Sequence, residues 1–107
     1  MQMHQIRYFL ALCEERNFTR AARRCGVSQP SLTNAISTLE EELGGALFQR
    51  SFRRRPLVAL TPLGHALHPY LEHVAKNIDH AREVARAFTH ARTARSDAGR
   101  DVGGVVP

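Results

Sequence analysis

Apolar residues recur along this chain at helical spacing, then briefly in alternation, then at helical spacing again. Between about Gln5 and Arg16, residues Ile6, Phe9, Leu10 and Cys13 fall at i, i+3, i+4 and i+7, and Tyr8 and Leu12 add a second apolar edge. A helix apolar on more than one side meets two neighbours. Glu14 to Asn17 break the pattern. Thr19 is placed to cap a second, short helix with Phe18 as its hydrophobic staple, and Ala21, Ala22 and Cys25 are small enough for close packing. Gly26 supplies a left-handed stop and Val27 plugs the turn. Ser28 then caps a third helix, with Pro30 in the first turn, where a missing N–H costs nothing. Leu32, Ile36, Leu39 and Leu43 give that helix one buried face, and Gly44-Gly45 end it.

The period then changes to two. Leu47 to Ser51 alternates apolar and polar, Phe52-Arg53-Arg54-Arg55-Pro56 forms a basic tip, and Leu57 to Leu60 returns, which predicts a two-stranded ribbon. Thr61 caps a last long helix that Pro62 starts. Its residues Leu67, Tyr70, Val74, Asn77, Ala81, Val84 and Phe88 step by three and four; Leu63, Leu71, Ile78 and Ala85 make an adjacent stripe. A helix too long for one small domain to cover predicts pairing with a second copy, with Asn77 fixing register in the seam. Leu67, Tyr70, Leu71, Val74, Ile78, Ala81, Val84 and Phe88 are the expected dimerisation residues. From Thr89 onward large apolar residues are few, so fraying before Ser96 and a disordered tail are expected. The expected organisation is a domain over 1–60, a helix over 61–93 and a tail over 94–107. The expected fold is mainly α: a winged helix-turn-helix, three helices and a two-stranded β wing, followed by a long dimerisation helix.

Charge sharpens this picture. Lys and Arg outnumber Asp and Glu by 15 to 10, a formal net charge of +5 with a pI near 10.2. That balance suits an acidic partner, and on charge alone an anionic membrane surface would serve as well as nucleic acid. The distribution is uneven. Arg50, Arg53, Arg54 and Arg55 crowd one connection, whereas Glu40-Glu41-Glu42 form an acidic block. The third helix carries, outside its buried face, Gln29, Ser31, Thr33, Asn34, Ser37 and Thr38, short side chains that donate and accept hydrogen bonds. Such a stripe suits the major groove of DNA. Arginines at a ribbon tip suit phosphates or a narrow minor groove; the plainer alternative is a solvated arginine loop.

Other chemistry finds little support. Of the six histidines, His65, His68, His73, His80 and His90 lie on or after the last helix without the spacing or thiol partners of a compact metal site. Beside a dimer seam they would weaken pairing below about pH 6.5. Cys13 and Cys25 sit at apolar helical positions and read as buried structural thiols of a reduced compartment. No nucleophile–base pair, phosphate-cradling glycine loop or spaced acid pair stands out, so no enzyme and no cofactor are expected. No signal-peptide pattern or membrane-spanning run is present, and a cytoplasmic location is expected.

Several stretches together resemble the N-terminal DNA-binding domain of LysR-type transcriptional regulators. They are Phe18-Thr19-x-Ala21-Ala22, Val27-Ser28-Gln29-Pro30-Ser31-Leu32-Thr33, Ile36-x-x-Leu39-Glu40, Leu43-Gly44, Leu47-Phe48-x-Arg50 and Leu60-Thr61-x-x-Gly64, within about Met3 to Phe88. The resemblance implies a winged helix-turn-helix whose linker helix pairs antiparallel with its mate, and promoter DNA with an interrupted dyad as ligand. It places base and phosphate contacts on Gln29, Pro30, Ser31, Thr33 and Asn34, with wing contacts at Arg53 or Arg54. Ser28, Ser37, Arg50 and Arg55 complete the expected DNA-facing set. Asn34 stands where many relatives carry arginine or glutamine, which implies a different base preference there. The connection from Phe48 to Thr61 is a few residues longer than the family's common form. The chain stops about where the family's effector domain begins, so no small-molecule effector site of its own is expected. Two rivals follow: an interaction protein forming mixed dimers with full-length LysR-type regulators, and a helical dimer with no DNA role.

Overall fold

Gln5 explains where the first helix starts. Its Oε1 accepts the backbone N–H of Gln2 at 2.7 Å, which lets a polar side chain stay buried and closes the first turn of α1, Met3–Glu15. The helix therefore begins two residues ahead of Gln5. The computed structural model describes residues 1–50 and 57–96, with Arg50 and residues 92–96 described by backbone alone. Ile6, Phe9 and Leu12 of α1 are buried, and Cys13 is half-buried beside them. α1 ends where Arg16 takes a left-handed conformation, φ 57° and ψ 26°. That costs a residue with a side chain about 1–2 kcal/mol. The turn aims the Arg16 carbonyl at the N–H of Val58, 3.1 Å away.

α2, Phe18–Cys25, starts two residues earlier than a Thr19 cap would allow. Asn17 is the cap: its backbone is extended and its Oδ1 accepts the N–H of Arg20 at 2.8 Å. Asn ranks above Thr as an N-cap residue. Thr19 is thereby freed for another contact. Gly26, at φ 72°, ends α2, and Val27 donates back to the Ala22 carbonyl at 3.0 Å. α3, Gln29–Leu43, follows its Ser28 cap and ends at Gly44, φ 87°, as the sequence predicts. Leu32, Ile36 and Leu39 are fully buried where α1, α2 and α3 pack on one another. Truncating any one of them to Ala would cost about 2–5 kcal/mol.

β1, Phe48–Arg50, and β2, Val58–Leu60, pair antiparallel with Phe48 opposite Leu60 and Arg50 opposite Val58. Alternation holds: Phe48 and Val58 are buried, Gln49 and Ala59 exposed. The ribbon is fastened to the helices at several points. Phe48 packs its ring on Phe9 at 5.4 Å, Asn17 bridges Leu57, and Glu40 accepts the N–H groups of Leu47 and Phe48.

α4 runs Pro62–Ser96. Thr61 caps it, its Oγ1 accepting from Gly64 at 3.0 Å while donating to the Ala46 carbonyl at 2.6 Å. Gly64 must be glycine, because a Cβ would overlap the Leu47 carbonyl oxygen. The chain divides into two compact units between Ala75 and Lys76. Within the first unit Leu63, Leu67, Leu71 and Ala75 recur every four residues and pack on the helical core. Leu71, at 4% exposure, is consumed by that core. Leu67 is half-buried beside it. α4 is helical through Ser96.

Candidate nucleic-acid interface

α3 presents its first turn to solvent because Ser28 and Gly26 hold the chain in a tight reversal. Ser28 Oγ accepts the Ser31 N–H at 3.2 Å and donates to Ser31 Oγ at 2.9 Å. Ser28 is thus occupied as a cap, and Ser31 keeps its own hydroxyl proton to offer outward. Gln29, Pro30, Ser31 and Asn34 are exposed, while Thr33 and Ser37 are half-buried at the edge of the same face. Pro30, Asn34 and Thr38 form the outermost row at i, i+4 spacing. Thr38 returns its hydroxyl to the Asn34 carbonyl at 3.0 Å, so it has less to give a ligand. The Asn34 side chain makes no hydrogen bond among the described residues.

Sequence reasoning missed one contact beside this face. Thr19 Oγ1, on α2, donates to Gln29 Oε1 at 3.1 Å. Reading Thr19 as a cap concealed it, although the unused Asn17 immediately before Phe18 was the available signal.

Positive charge on α2 is not uniformly free. Arg24 pairs with Glu14 at 2.6 Å and with Glu15 at 3.3 Å. Arg20 meets Glu15 at 3.4 Å and also donates to its carbonyl at 3.0 Å. The Glu14 hydrogen bond and charge hold the Arg24 pKa above its ordinary value. Of the wing, Arg53, Arg54 and Arg55 lie outside the described residues, and Arg50 is placed by its backbone pairing alone.

The last helix separates into residues that serve the core and residues that do not. In the first unit Tyr70 is 68% exposed and Val74 is exposed. In the second, Val84 and Phe88 are 56% and 67% exposed, Ala81 is exposed and Ile78 half-buried. His68 sits 6.1 Å from the Phe9 ring, on the core side. Among the described residues no three His, Cys, Asp or Glu converge as a metal site would require. No helix of the described residues is long and apolar enough to cross a membrane. Burial pushes the Cys13 thiol up to about 12, helped by Glu14 and Glu72. Cys25 is raised too, by burial, with Arg24 opposing.

Comparison with known proteins supplies the frame. Residues 3–65 match the family described as bacterial regulatory helix-turn-helix protein, lysR family. The chain is 42% identical over 88 residues to the HTH-type transcriptional regulator BudR of Klebsiella aerogenes, covering 82% of this chain and 59% of BudR. It spans only 25% to 30% of several longer regulators. Among solved structures, a BenM_DBD/benA site 1 DNA complex matches with a TM-score of 0.75 at 37% identity, covering 83% of this chain and 97% of that one. A CbnR_DBD–DNA complex matches with a TM-score of 0.75 at 32% identity, covering 83% and 99%. The four helices and the antiparallel two-stranded sheet are those of a winged helix.

Proposed function

Because this chain belongs to the lysR family of bacterial regulatory helix-turn-helix proteins, we propose that it binds double-stranded promoter DNA as a homodimer and regulates transcription. The observation that carries this reading is the exposed polar start of α3, where Gln29, Pro30, Ser31 and Asn34 project from a rigid three-helix core. That turn would enter the major groove, with Thr33 and Ser37 flanking the contact and Ser28 holding the helix start. Gln and Asn carboxamides discriminate purine edges, and hydroxyls of Ser31 and Thr33 adapt to either partner. The two similar solved complexes contain DNA with the same fold, which supports the assignment.

The wing arginines Arg53, Arg54 and Arg55, with Arg50, would supply grip on phosphates or in the minor groove. On α4, Tyr70, Val74, Ile78, Ala81, Val84 and Phe88 would meet a second copy and set the spacing of two reading heads.

Selection of sites from a random duplex pool tests the reading. Gln29→Ala or Thr33→Ala should then lose about 1–3 kcal/mol on the selected site and little on random DNA. Equal losses on both would remove α3 from base reading.

A further inference from the structure

We propose that Thr19 is a positioning residue that decides which way the Gln29 carboxamide faces, and hence which base edge Gln29 reads. The inference rests on α3 being the major-groove helix. Thr19 lies in the first turn of α2 and Gln29 opens α3, ten residues on, yet the hydroxyl donates to Oε1 at 3.1 Å. The terminal torsion of a glutamine is broad and roughly two-fold. Unheld, Gln29 would turn either its oxygen or its –NH2 group toward a base. With Oε1 drawn to Thr19, the –NH2 group is the end left to meet a ligand, and no group among the described residues takes up its two N–H donors.

The consequence is a matter of donors and acceptors. In the major groove guanine presents two acceptors, N7 and O6, whereas adenine presents one acceptor and one donor. A carboxamide free at both ends pairs with adenine in two-pronged fashion. One that shows only its –NH2 group matches guanine. Thr19 therefore biases Gln29 toward guanine, without itself touching DNA. Asn17 caps α2, so the Thr19 hydroxyl can be removed without uncapping the helix.

The test uses the full chain and the duplex it enriches from a random pool, with each position then changed to every base pair. Gln29→Ala identifies the position whose preference depends on Gln29. There the unaltered protein should favour guanine. Thr19→Val should lower the guanine-to-adenine affinity ratio about two- to fivefold, the size of a weak net hydrogen bond. Thr19→Ser should keep the ratio, random-duplex affinity should not change, and Thr19→Val added to Gln29→Ala should do nothing more. Thr19→Ala carries the same test with less steric change. An unchanged ratio in Thr19→Val, or an effect that persists without Gln29, overturns the proposal while leaving α3 as reader. If Gln29→Ala alters preference at no position, base reading by Gln29 falls and this inference with it.

Discussion

The Glu40 carboxylate on α3 accepts the backbone N–H of Leu47 at 2.7 Å and that of Phe48 at 3.3 Å. One acidic side chain thereby ties the helix that carries the candidate reading face to the start of the ribbon. By charge and residue type it matches its neighbours Glu41 and Glu42. Both neighbours are exposed, and Glu42 meets the N-terminal ammonium at 2.8 Å. Glu40→Ala should destabilise the fold by about 1–3 kcal/mol in urea denaturation, since two N–H groups lose a charged acceptor. Glu41→Ala should stay within about 0.5 kcal/mol. Equal effects would show that the contact contributes nothing beyond surface charge.

Phosphate grip should be separable from base reading. Arg53→Ala combined with Arg54→Ala should weaken binding to every duplex and flatten the dependence of log affinity on log salt. The expected change in slope is about 0.9 for each phosphate that the protein no longer neutralises. A titration across salt concentrations that returns the unaltered slope would place the wing away from the duplex.

Pairing and folding should separate along α4. Val84→Asp or Phe88→Asp should leave a folded chain that sediments as a monomer, because neither residue serves its own core. Leu71→Ala should instead lower stability by about 2–5 kcal/mol, as expected for a buried leucine. Dimers that persist in both aspartate variants would refute the α4 seam.

Thiol chemistry should follow burial. With its pKa near 12, Cys13 holds only about one part in ten thousand as thiolate at pH 8, and the thiolate is the reactive form. Alkylation of the folded protein at pH 8 should therefore leave Cys13 largely unmodified, reaching the rate of a free thiol only after urea unfolding. Rapid labelling of Cys13 in the native state would show that the packing over its thiol opens readily.

The sequence by itself determined most of the local architecture. Gly26 and Gly44 as helix stops, Ser28 and Thr61 as caps, Pro30 in a first turn and the alternating ribbon are all read from groups close together along the chain. Its family resemblance also named the fold, and the similar solved structures agree. Errors came where one helix start had two candidate caps. Asn17 and Thr19 both qualify by residue type, and only the packed turn at Arg16 shows which one is positioned to serve.

Tertiary structure decided what identical local patterns cannot. Leu71 and Val84 belong to similar apolar stripes of one helix, yet Leu71 is buried in the core and Val84 is exposed. Gly64 reads as a weak helix residue until the Leu47 carbonyl is seen against it. Thr19 and Gln29, or Thr61 and Ala46, meet across ten and fifteen residues. Periodicity records which residues share a face of an element. It does not record what that face meets, because the meeting is set by closure of the chain around the whole core.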